Sequence, residues 1–80
     1  MKLSKLHEKL DELYLVLDDM IGEIEEKMEA IEDRACERES GEMTDKEQER
    51  YDALDDKLST LRDVQDNVEY ARDGIEEIMD

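Results

Sequence analysis

Leucine and isoleucine recur every seven residues through the first half of this 80-residue chain, at Leu3, Leu10, Leu17, Ile24 and Ile31. A repeat of that length draws one apolar stripe along a helix. Leu6, Leu13 and Met20 flank the stripe on one side early. Tyr14, Ile21, Met28 and Ala35 flank it on the other side later. The seam therefore drifts, and the apolar face is widest from Leu13 to Ile24. The pattern predicts a first helix from about Leu3 to about Glu39. A second stripe, Leu54, Leu61, Val68 and Ile75, is flanked by Tyr51 and Leu58 early and by Val64, Ala71 and Ile78 late. It predicts a second helix from about Asp45 to about Met79.

A turn over about residues 40–44 separates them. Gly41 suits the left-handed conformation that closes a helix. Thr44-Asp45-Lys46-Glu47 reads as a capping box, in which Thr44 and Glu47 each satisfy the other's backbone N–H. So short a link makes the helices antiparallel. Lys2, Lys5 and Lys9 oppose the dipole of the first helix, and Glu76, Glu77 and Asp80 that of the second. Folding back sets the two clusters side by side. At the turn, Arg34 and Arg38 close one helix and Asp45, Glu47 and Glu49 open the next, as the dipoles favour.

The fold class is therefore all-α: one antiparallel, coiled-coil-like hairpin spanning residues 1–80. A narrow seam suits two strands, whereas a wide face suits a bundle of three or four helices. The wide face predicts dimerisation into a four-helix bundle. Its core is expected from Leu10, Leu13, Leu17, Ile21 and Ile24 with Leu54, Leu61, Val68 and Ile75. Docking of a single hairpin onto another protein is the alternative.

Charge changes the picture. Asp and Glu number 27 against 11 Lys and Arg, a formal net charge of -16. Proline, phenylalanine and tryptophan are absent, a composition of long helices rather than of a mixed fold. Nucleic acid and anionic membrane repel such a chain, while a basic protein surface attracts it. The longest apolar run, Leu13 to Leu17, is too short for a secretory leader or a membrane span. The single cysteine, Cys36, permits no internal disulfide and fits a reducing compartment. The expectation is a soluble, cytoplasmic protein.

Candidate chemistry is sparse. His7 and Cys36 fall near opposite ends of the hairpin, and no serine or threonine has a plausible base. Ser4 stands where a Glu-x-x-His metal motif needs glutamate. Asp73-Gly74 lacks the remaining ligands of a calcium loop, and no glycine-rich phosphate loop exists. These absences predict no enzymatic activity, no cofactor and no dedicated metal site.

The acidic surface carries the functional expectation. Asp18, Asp19, Glu23, Glu25, Glu26, Glu29 and Asp33 cluster with only Lys27 to balance them, and pairs one turn apart repel. Leu15 and Tyr70 fall off both seams and join them as expected partner contacts, with Val16 at an edge. About 54 Å of B-DNA holds roughly 32 phosphates, and two hairpins side by side would carry a comparable charge. The chain is thus expected to bind a protein with a basic surface, as an inhibitor or nucleic-acid mimic, without binding nucleic acid itself. A homo-oligomeric scaffold or adaptor is the alternative.

Glu37-Arg38-Glu39-Ser40-Gly41-Glu42 and the run Val68-Glu69-Tyr70-Ala71-Arg72-Asp73-Gly74-Ile75-Glu76-Glu77-Ile78 resemble small acidic helical hairpin proteins of bacteriophages and mobile elements. Some phage proteins of this charge character imitate DNA to block host enzymes. The resemblance implies the same kind of role and assigns no individual residue.

Overall fold

In a computed structural model, which describes residues 2–79, two helices run antiparallel: α1 (Leu3–Glu37) and α2 (Asp45–Ile78). The rod measures 61 × 16 × 15 Å. Along α1 the seam reads His7, Leu10, Tyr14, Leu17, Ile21, Ile24, Met28, Ile31, Ala35, alternating steps of three and four. Along α2 it reads Glu47, Tyr51, Leu54, Leu58, Leu61, Gln65, Val68, Arg72, Ile75 in the same rhythm. Steps of three and four keep one narrow stripe facing one partner helix, the pattern of a two-stranded coil. Ile21, Met28 and Leu58 form the buried centre, with Ile24, Tyr51, Leu54 and Leu61 packed against them. Leu17, Ile31, Ala35 and Val68 are also buried.

The drift read from the sequence resolves differently on each helix. On α1 the Tyr14 flank faces α2 throughout, leaving Leu13 and Met20 exposed. On α2 the seam continues through Gln65 and Arg72 rather than crossing to Val64, Ala71 and Ile78, which stay exposed. Tolerating two polar seam residues has a physical basis. The Gln65 amide reaches the Tyr14 carbonyl (3.4 Å) and the Asp18 carboxylate (3.5 Å). Arg72 donates to Asp11 (3.0 Å), and its guanidinium carbon lies 5.5 Å from the Tyr14 ring centroid.

α1 stops at Glu37, two residues before the expected end. Arg38 turns extended and donates two hydrogen bonds to the Glu47 carboxylate and one to the Glu42 carbonyl. Gly41, at φ +67, closes the following turn by donating its N–H to the Arg38 carbonyl, 3.0 Å away. The capping box forms as read: the Glu47 N–H donates to Thr44 Oγ1 (3.2 Å) and the Thr44 N–H to Glu47 Oε1 (3.0 Å). A Cβ built at Gly22 or Gly74 would meet open space, so neither glycine permits a close helix approach.

At the open end the two charge clusters do not pair as expected. Among the described residues, Lys2, Lys5 and Lys9 form no ion pair. Their positions turn them away from the edge that carries Glu76. His7 makes the cross-helix contact instead, with Nε2 2.8 Å from Glu76 Oε1. Asp80 lies outside the described residues.

Candidate functional site

A helix in a two-stranded coil leaves two edges beside its seam, and here the edges have opposite chemistry. On one, α1 places a carboxylate every seven residues: Asp11, Asp18, Glu25 and Glu32. Each meets a polar group of α2: Arg72 (3.0 Å), Gln65 (3.5 Å), Arg62 (3.8 Å) and the Tyr51 hydroxyl (2.5 Å). This is the linked edge. The nearby Glu32 carboxylate holds the Tyr51 hydroxyl above its ordinary pKa, and Asp11 does the same for Arg72. The ladder was legible as a seven-residue period of acids in α1, read against α2 in reverse order. The sequence reading missed it because it followed the apolar residues.

The other edge is open. α1 contributes Leu6, Leu13, Met20, Lys27 and Arg34 at seven-residue steps, and α2 contributes Arg50, Lys57, Val64, Ala71 and Ile78. Antiparallel pairing sorts these by height. The half near the termini is apolar, and the half near the turn is cationic. Among the described residues, Lys27, Arg34, Arg50 and Lys57 make no ion pair. Where the halves meet, a groove of about 550 Å³ opens between Met20, Ile24, Leu54 and Leu61, with Lys27 and Lys57 on its rim.

All seven candidate acids are exposed. Asp18 and Glu25 lie on the linked edge. Asp19, Glu26, Glu29 and Asp33 continue that negative surface around the back of α1. Glu23 is separated from them: it turns toward the open edge and lines the groove. Leu15 and Tyr70 are 63% and 82% exposed. They stand on the outer faces of different helices and point apart, so they do not build one patch. Of the expected oligomer-core residues, Leu10, Leu17, Ile21, Ile24, Leu54, Leu61, Val68 and Ile75 are at least half-buried within the hairpin. Leu13 remains exposed on the open edge.

Cys36 is exposed. Among the described residues, no three His, Cys, Asp or Glu side chains gather as they would to hold a metal ion, and no helix is long and apolar enough to cross a membrane.

The turn end is an electrostatic clamp. Hydrogen bonds from Arg38 and from the Thr44 backbone hold the Glu47 carboxyl down to about 2 from its ordinary 4.5. A depressed carboxyl contributes its stability above the ordinary value and loses it as pH falls through the folded one. Urea midpoints should therefore separate the parent from Glu47→Gln most at neutral pH. The gap should close as pH drops from about 4.5 toward about 2. A gap independent of pH would remove the clamp from the account.

Compared with protein-family models, curated proteins and solved structures, the chain matches none.

Proposed function

We propose that this chain is a non-enzymatic protein-binding module whose acidic side occupies a basic, nucleic-acid-binding surface of a partner protein. One observation carries the reading. The carboxylates are sorted onto the linked edge and the outer faces, on stiff helices, while most of the cations that could neutralise them are segregated elsewhere. A coil built only to hold itself together gains nothing from that segregation, because like charges one turn apart oppose the helix. The spacing fits the same role. A net charge of -16 spread over 61 Å is about one charge per 4 Å. A single DNA strand carries one per roughly 3.4 Å. A single hairpin therefore suffices, without the doubled charge of a dimer.

The test is capture of partners on the immobilised hairpin, followed by elution with either oligonucleotide or salt. Captured proteins should leave on addition of DNA or RNA and weaken steeply with ionic strength, as phosphate-binding surfaces do. Partners that resist both eluents would refute the reading. The open apolar edge favours a second reading, a homo-oligomeric scaffold, and the two are compatible because they use different faces.

A further inference from the structure

Four of the 11 Lys and Arg side chains, Lys27, Arg34, Arg50 and Lys57, gather on the turn half of the open edge. The two on each helix are seven residues apart, about 10 Å along the rod. Antiparallel pairing sets Arg34 beside Arg50 and Lys27 beside Lys57. All four are exposed, and among the described residues none makes an ion pair, in a chain with 27 acids. The acids one helical turn from them are Glu23, Glu37 and Glu47, and Glu47 is already held by Arg38. Ala30 on α1 and Ala53 on α2 flank the quartet at its centre, so the side chains beside it there are short. Like charges gathered in this way repel, and the repulsion opposes the hairpin until an anion offsets it.

Lys27, Arg34 and Arg50 surround a hollow of about 80 Å³ whose remaining walls are Ala30 and Ile31. Three cations converging from two helices suit a tetrahedral oxyanion. A planar carboxylate is satisfied by one arginine through two parallel hydrogen bonds and has no use for the others. Lys27 also lines the neighbouring groove, together with Lys57. Glu23 and Asp56 line that groove as well, so an anion stops at its rim. A single phosphate fills the hollow alone, whereas a chain of phosphates continues past Lys27 to Lys57. We infer that this quartet is a binding site for an oligophosphate chain, either inorganic or the tail of a nucleotide. The net charge of -16 does not bar it, because physiological salt screens exposed charges beyond about 8 Å. Within that reach the quartet outweighs the acids on the outer faces.

The site lies on the edge opposite to the acidic ladder and is tested on the pure chain, so its failure is separable from that of the function above. Titration calorimetry in metal-free buffer should show one tripolyphosphate bound per hairpin, and the ligand should raise the melting temperature. Orthophosphate should bind more weakly. Arg34→Gln and Arg50→Gln should each weaken tripolyphosphate binding at least about tenfold. Lys57→Gln should weaken tripolyphosphate but leave orthophosphate unchanged. Lys5→Gln, which removes the same charge from an outer face, should bind like the parent. ATP is the second ligand: whichever of ATP and tripolyphosphate binds more tightly identifies the source of the chain, and either supports the site. No binding at millimolar tripolyphosphate would overturn it, as would an equal loss in Lys5→Gln or equal affinity for orthophosphate. An oligoglutamate peptide that binds more tightly than tripolyphosphate would make the quartet a protein contact and overturn the assignment too.

Discussion

Replacing Ile21 or Leu58 with alanine is expected to remove about 2–4 kcal/mol of stability, enough to unfold much of the population at room temperature. The reason is the narrowness of the seam. Two helices meet along one stripe, and among the described residues only Leu17, Ile21, Met28, Ile31, Ala35, Leu58 and Val68 are buried. Ile21 and Leu58 sit together at the centre with Met28. Deleting either leaves a void that the neighbouring side chains, spaced along rigid helices, cannot close. No second layer exists to share the loss. Leu15→Ala, on the outer face, should change stability by less than about 0.5 kcal/mol. Urea unfolding followed by far-ultraviolet circular dichroism separates these outcomes. Similar losses at Ile21 and Leu15 would mean that the seam described above is not the core.

The fold was legible in the sequence because its rules are local. The seven-residue stripes at Leu3 to Ile31 and at Leu54 to Ile75 specify helices. Thr44 with Glu47 specifies where the second one begins. Gly41 needs only its own φ. The end of α1 was misplaced because Arg38 leaves the helix to reach a carboxylate nine residues away, and no local rule sees that contact. The choice between the Leu13 and Tyr14 flanks was not legible from apolar residues alone, since both flanks are apolar. The polar ladder settles it. Asp11, Asp18, Glu25 and Glu32 must face Arg72, Gln65, Arg62 and Tyr51, and that pairing rotates Leu13 and Met20 outward. The candidate acids were legible as a cluster but not as a surface. Only the helix rotation shows that Glu23 leaves the group, and that Leu15 and Tyr70 stand apart.

The second large effect concerns the acidic side itself. Asp19, Glu26 and Asp33 lie on the back of α1, exposed and outside the hydrogen bonds and ion pairs that join the helices. Each has like-charged neighbours three or four residues away among Glu23, Glu29 and Glu37. Such pairs destabilise a helix by about 0.2–0.5 kcal/mol each at low salt, and opposite charges stabilise it by as much. Changing all three residues to lysine converts these repulsions into attractions. The variant should melt roughly 10 °C higher than the parent at low ionic strength. The gain should shrink as salt shortens the reach of surface charges from about 30 Å at 0.01 M to about 3 Å at 1 M. An interaction surface maintained against the stability of its own fold predicts this outcome. A surface whose acids serve the fold predicts the reverse.

Thermal unfolding of the parent and of the Asp19→Lys, Glu26→Lys, Asp33→Lys variant between about 0.01 M and 1 M salt is therefore the most direct test. The account predicts a parent midpoint that climbs with salt and a variant that starts higher and climbs less. A parent midpoint that falls with salt, or a variant less stable than the parent at low salt, would contradict it.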